Sequence, residues 1–221
     1  MRSAVVRGID GARGAAGDVV IVDVFRAFTT AAFCIAAGAR EVVLVSDHEQ
    51  ALALKRVDPR LFLTGEIGGK PIPGFDVGNS PSAIEHLDLE GRRVVQRTSS
   101  GTQGVVAAAA AEQIALGSFV IAAATARYLA SRGREVTIVA MGEGQADRSD
   151  EDLACASHLA ALLRGERPTL PVVPLPSERM GGEWPDWFPR RDAELALQLD
   201  RFDLALPVFR EGGLLVARPL R

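Results

Sequence analysis

Residues 19–38 read VVIVDVFRAFTTAAFCIAAG. The apolar run 19–24 predicts a buried strand, and the helix formers of 29–37 predict a helix that Gly38 stops. Asp23, Arg26, Thr29 and Thr30 crowd the joint between the two. Charged side chains seldom go fully inside a protein without a partner. At a shared joint, a carboxylate is placed to hold a metal and an arginine to hold a phosphate.

The same strand-then-helix alternation continues along the chain. Strands are expected at 41–45, 61–64, 93–97, 113–116 and 135–140, and helices at 48–57, 101–110, 122–131 and 150–163. This predicts an α/β fold with a mainly parallel or mixed sheet flanked by helices. After Gly165 the composition changes. Residues 167–189, RPTLPVVPLPSERMGGEWPDWFP, are rich in proline and carry both tryptophans. They read as a Pro-rich C-terminal arm or small lobe, followed by a helix at 191–199 and strands at 204–208 and 214–217. The expected organisation is an α/β core over 1–165 that carries the active site, with 166–221 packed on it. The aromatics of the arm are packing anchors first and a homodimer contact second.

Composition narrows the function classes. With 48% hydrophobic and 24% charged residues and no low-complexity tract, the 221-residue chain is an ordinary globular sequence. A net charge of −3 with scattered basic residues leaves no footprint for nucleic acid. Small anions remain possible partners, because a local arginine and a metal outweigh net charge. No apolar stretch reaches membrane-span length, and the N-terminus lacks a signal-peptide layout, so the expected compartment is the cytoplasm. Cys34 and Cys155 lie in Ala-rich helical segments and read as small buried hydrophobes; a zinc site needs more Cys and His than this. His48, His86 and His158 read as solvated or core side chains rather than catalytic ones.

Polar residues gather at four strand-to-helix joints, the places where open α/β sheets bind ligands. The first is the Asp23–Thr30 joint. The second, TGEIGGKPIPGFDVGNSP (64–81), offers Glu66, Asp76, Asn79 and Ser80 in a Gly/Pro-rich loop that is long for its position. Ser80 and Asn79 are also natural caps for a helix starting at Pro81. The third, RTSSGTQG (97–104), places Ser99, Ser100, Gly101 and Thr102 at a fresh helix N-terminus, either as an anion site or as an ordinary cap. The fourth, MGEGQADRSDEDLACA (141–156), supplies Glu151 and Asp152 behind Ser149 or Asp150 as a cap.

Together these joints suit magnesium-dependent phosphate handling, since Mg²⁺ prefers one or two carboxylates, waters and substrate oxygens. The candidate metal ligands are Asp23, Glu66, Asp76, Glu151 and Asp152. Arg26 would grip a phosphate as a bidentate fork, with Thr29, Asn79, Ser80, Ser99, Ser100, Gly101 and Thr102 as further substrate contacts. Asp23, Arg26, Glu66 and Asp76 are the catalytic candidates, with the division between ligand and base left open. An aspartyl-phosphate mechanism of the haloacid dehalogenase type needs a second Asp at position 25, where this chain has Phe25.

VDVFRAFTT, GEIGGKPIPGFDVGNSP, TSSGTQG, LGSFVIAAA, SDEDLACA and ELALQLDRFDLALPVF, in this order, resemble the 2-phosphosulfolactate phosphatase family over nearly the whole chain. The resemblance implies Mg²⁺-dependent hydrolysis of 2-phospho-3-sulfolactate to sulfolactate and phosphate, a step of coenzyme M biosynthesis, and gathers Asp23, Arg26, Glu66, Asp76, Asn79 and Asp152 into one site. The chain departs from the family pattern at Ser100, where an Asn is typical, at Val120, Ile121 and Ala122, where an Asn follows GSF, and at Arg148 and Asp150. The lost amides bear on sulfonate recognition. The leading expectation is a phosphatase for a small anionic phosphorylated acid. Its rivals are a phosphate- or sulfonate-binding protein without turnover and a structural oligomer.

Overall fold

The computed structural model describes residues 1–142, 150–179 and 182–220. The loop expected at 142–149 lies outside the described residues beyond Gly142, as do the capping Ser149 and the side chain of Asp150. Among the described residues no helix is long and apolar enough to cross a membrane.

The chain opens with β1 (Ser3–Arg7), α1 (Gly8–Gly14), β2 (Gly17–Val22), α2 (Ala27–Ala36), β3 (Glu41–Leu44) and α3 (His48–Val57). Next come β4 (Phe62–Ile67), β5 (Lys70–Pro71), β6 (Val77–Gly78), α4 (Pro81–Ile84), β7 (Arg93–Arg97) and α5 (Gly101–Ala107). The chain continues with β8 (Ala111–Gly117), a 3₁₀ turn at Phe119–Ile121, α6 (Ala122–Ser131), β9 (Val136–Ala140) and α7 (Asp150–Leu163). It closes with α8 (Pro176–Arg179), α9 (Arg190–Ala196), β10 (Leu206–Glu211) and β11 (Leu214–Ala217).

The eleven strands of the described residues join one sheet in the order β1-β9-β2-β8-β10-β11-β3-β7-β4-β5, with β6 beside β4. β1, β9, β2 and β8 run parallel to one another, as do β3, β7 and β4. The C-terminal hairpin β10–β11 sits between these groups and pairs antiparallel with β8 on one side and β3 on the other. The segment expected as an addition to a core over 1–165 thus supplies the middle of the sheet.

Three successive antiparallel pairings, β8/β10, β10/β11 and β11/β3, make the two parallel groups run in opposite directions. In a flat sheet the ends of β2 and β7 would lie at opposite edges. Sheets twist by about 20–25° per strand, and five steps separate β2 from β7, so the accumulated rotation is about 100–125°. α5, which follows β7, packs against α1 and β2. That return brings the carboxyl ends of strands from both groups to one place.

Side chains alternate across the sheet, and both faces are covered. On β2, Val19 and Ile21 join one apolar cluster while Val20 and Val22 join another. This two-sided burial is why the strand reads as an unbroken apolar run. The first cluster spans the whole sheet, from Val139 through Ile114 and Val208 to Leu44 and Val94, under α1, α2 and α5. The opposite face is divided: α6 and α7 cover β9, β2 and β8, and α3 covers β3, β7 and part of β4. Cys34 and Cys155 are buried in these clusters as free thiols, and burial pushes Cys34 up to about 12.

Candidate functional site

Asp23 is the first residue beyond β2. Its backbone N–H donates to the Gly117 carbonyl at 3.2 Å, and its Oδ1 accepts from the Ala27 N–H at 2.9 Å, which starts α2. The Gly101 N–H, arriving from beyond β7, donates to the same carboxylate. A Cβ on Gly101 would stand 2.8 Å from Asp23 Oδ2 and 2.7 Å from the Ala27 Cβ, so this close approach requires glycine.

Glu66 lies on β4 rather than in the loop expected after residue 64, because β4 runs on into a hairpin with β5. Gly68 and Gly69, at φ +57° and +82°, make its two-residue turn with both residues left-handed. The Glu66 carboxylate accepts from the Ser99 N–H at 2.5 Å, the Gly69 N–H at 2.7 Å and the Ser99 hydroxyl at 3.0 Å. It thereby ties the β4 hairpin to the turn after β7.

Arg26 is 4% exposed, and its Nη1 donates to Asp192 Oδ2 on α9 at 2.9 Å. Its guanidinium lies 4.5 Å from the Phe188 ring centroid and 5.5 Å from that of Trp187. Asp152, on α7, accepts from the Val24 N–H at 2.6 Å and the Gly142 N–H at 2.8 Å, bracketing the chain just beyond β2 and β9. Glu151 is buried beside it.

These acidic groups repel one another. Burial, with Glu66 and Glu151 nearby, raises Asp23 from the usual 3.8 to about 7. Burial, with the charges of Asp23 and Glu151, holds Asp152 well above the ordinary carboxylate range. Asp23, Arg26, Glu66, Asn79, Ser99 and Ser100 line a cavity of about 430 Å³, walled further by Phe25, Trp187 and the Gly68–Gly69 turn.

A sequence model of the family described as 2-phosphosulpholactate phosphatase matches residues 9–172. The chain belongs to this family. Among its relatives are three that each carry the name probable 2-phosphosulfolactate phosphatase. The protein from Carboxydothermus hydrogenoformans is 37% identical over 149 residues, 67% of this chain and 61% of the relative. That from Deinococcus radiodurans is 42% identical over 125 residues, 56% of this chain and 52% of the relative. That from Thermus thermophilus is 42% identical over 148 residues, 66% of this chain and 61% of the relative. The matched part of the chain therefore spans between about half and three fifths of these relatives' lengths.

In this phosphosulfolactate phosphatase family member, several residues expected at the site lie elsewhere. Asp76 accepts from Lys55 and from the Leu63 N–H, and it does not line the cavity. Thr29 and Thr30 are fully buried; the Thr29 hydroxyl donates to the Val24 carbonyl, and Thr30 Oγ1 has no hydrogen-bond partner among the described residues. Thr102 is buried too, locked to Thr98 in both directions. The expected anion site at the start of α5 is already engaged: Gly101 and Thr102 give their N–H groups to Asp23 and Thr98, and the Ser100 hydroxyl goes to the Gly142 carbonyl. Ser80 caps α4 and also donates to Asp192 Oδ1 at 2.8 Å. None of the three histidines lines the cavity.

Trp187 and Asp192 were not singled out as site residues from sequence. A metal's fit to the site rests on donor chemistry. Asp23 and Glu66 present hard carboxylate oxygens to the cavity, with the charge of Glu151 nearby. Among the described residues no three His, Cys, Asp or Glu form a ready-made metal site. Two carboxylates would be enough for Mg²⁺, which takes one or two and fills its shell with water and substrate oxygens.

Proposed function

We propose that the chain is a Mg²⁺-dependent phosphatase that hydrolyses 2-phospho-3-sulfolactate, or a related small phosphorylated acid, to the hydroxy acid and phosphate. The carrying observation is the placement of two carboxylates, Asp23 and Glu66, opposite the Arg26 fork in one cavity of about 430 Å³. Buried carboxylates that share a cavity, one of them raised to about 7 by burial first and neighbouring charge second, are poorly suited to binding an anion alone and would be well suited to holding a cation that offsets their charge.

Asp23 and Glu66 would hold Mg²⁺, which supplies positive charge to the phosphate oxygens. Glu151 would deepen the negative field, and Asp152 keeps the ends of β2 and β9 in register through its two backbone bonds. Arg26 receives the remaining phosphate oxygens through its unspent N–H donors. Asn79 and Ser100 face the rest of the substrate. In the net reaction a water oxygen bonds to phosphorus, the phosphorus–ester oxygen bond breaks, and a proton reaches the departing alkoxide. With this substrate the reaction would belong to coenzyme M biosynthesis.

The test is phosphate release from 2-phospho-3-sulfolactate, phospholactate and p-nitrophenyl phosphate, with and without Mg²⁺. Mg²⁺-dependent release that favours the sulfonate and disappears in Asp23→Asn is the expected result. Tight sulfonate binding without release from any of the three would overturn the reading.

A further inference from the structure

Arg26 has two sets of carboxylates within its surroundings. Asp23 and Glu66 share its cavity, while Asp192 lies behind it, fully buried on α9. An arginine on a free tether would swing onto the cavity carboxylates, cancelling both the anion grip and the cation site. Several contacts hold it back: Nη1 reaches the Trp187 carbonyl and Nη2 the Gly69 carbonyl, each at 3.4 Å, and Asp192 adds the shorter, charged contact. Asp192 Oδ2 takes the Arg26 Nη1, while Oδ1 is held by the Ser80 hydroxyl at 2.8 Å and the Ser82 N–H at 2.9 Å. The Phe188 ring backs the guanidinium, and Trp187 packs against the Gly69 backbone, where a Cβ would come within 2.5 Å of its ring. Phe188, Trp187 and Asp192 all lie beyond the family-matched residues 9–172.

We propose that Asp192 is a positioning residue that holds Arg26 as an anion-binding fork and keeps it off Asp23 and Glu66. This rests on the phosphatase reading for its purpose but not for its test. A carboxylate with every oxygen satisfied holds one geometry. With Nη1 on Asp192 and the Trp187 carbonyl and Nη2 on the Gly69 carbonyl, Arg26 keeps two N–H donors, one on Nε and one on Nη2, for an incoming phosphate.

The test is calorimetric titration of inorganic phosphate, in excess Mg²⁺, into the full chain and four variants: Arg26→Ala, Asp192→Asn, the double variant and Asp192→Glu. Glu85→Gln is the control, since Glu85 also links α4 to α9, through Arg191, without touching Arg26. Arg26→Ala and Asp192→Asn should each weaken phosphate binding about 10- to 100-fold, the worth of a charge-assisted hydrogen bond. The double variant should be no weaker than Arg26→Ala alone, because Asp192 acts through Arg26. Asp192→Glu, which keeps the charge, should recover most of the binding, and Glu85→Gln should bind as wild type does. Additive losses, wild-type binding by Asp192→Asn, equal losses in the Asn and Glu variants, or no phosphate binding by wild type would each overturn the proposal. The expected cycle together with no hydrolysis of any phosphoester would sink the phosphatase reading and leave the positioning role intact.

Discussion

Replacing Asp23 by Asn should abolish activity and yet stabilise the metal-free protein at alkaline pH. The carboxyl titrates at 3.8 when free and at about 7 when folded. The folded chain therefore holds this proton more tightly than the unfolded chain. Its contribution to stability is fully present below pH 3.8 and is lost as pH rises towards 7. At 1.36 kcal/mol per pH unit, the loss is about 2 kcal/mol at pH 5 and about 4 kcal/mol at pH 8. An amide does not titrate, and its oxygen can still accept from the Ala27 N–H. The stability of Asp23→Asn relative to wild type should thus rise by about 2–3 kcal/mol between pH 5 and pH 8. For a chain of this size that is about 5–10 °C in relative Tm. The assay is thermal melting in EDTA across that pH range, repeated with Mg²⁺. Added Mg²⁺ should raise the wild-type Tm and leave the variant unchanged, since only a folded state with the ligand gains from binding. Phosphate release should fall about 10²–10³-fold. Parallel melting curves for the two proteins from pH 5 to pH 8 would refute the reasoning.

Glu66→Gln should lose phosphate release and loosen the β4–β5 hairpin, because its two oxygens accept three donors and an amide cannot; steady-state kinetics read the first effect and hydrogen exchange at Gly69 the second. Asp76→Asn should leave kcat/KM within a few-fold and cost about 1 kcal/mol in urea unfolding, since its partners are Lys55 and a β4 backbone N–H. Gly101→Ala should cost about 1–3 kcal/mol by overpacking and lower kcat/KM as well, because the new methyl presses on Asp23. Asp152→Ala should leave the Val24 and Gly142 N–H groups without acceptors and cost about 2–6 kcal/mol in urea unfolding.

The regular elements were largely legible because each has a local cause. α3, α6, α7, β7 and β11 have the bounds that periodicity predicts, and β2 announced itself by an apolar run that both faces of a sheet require. That Asp23, Arg26 and Glu66 share one cavity was legible because all three sit at or near strand ends. Asp76 shows the limit of that rule. A carboxylate in a Gly/Pro loop resembles a ligand, but a strand N–H and a lysine can claim it from the other side. The Gly68–Gly69 turn had a readable hairpin signal that the long loop concealed. Asp192 had none: its partners Arg26, Ser80 and Ser82 lie more than a hundred residues away, and an acid in the first turn of a helix is ordinarily surface decoration. The place of β10 and β11 was equally hidden, since alternating apolar residues specify a strand but not its neighbours.

That hairpin has a consequence for how the molecule is made. β8 and β3 emerge early in synthesis, yet each must wait for residues 206–217 before its open side is paired. Until then the two groups of parallel strands have no shared ladder, and each exposes an apolar edge able to pair with a neighbouring chain. The cavity waits as well, because Asp23 belongs to one group and Glu66 to the other. Assembly of the cavity is thereby coupled to residues 206–217, and nascent chains halted before them are exposed to aggregation.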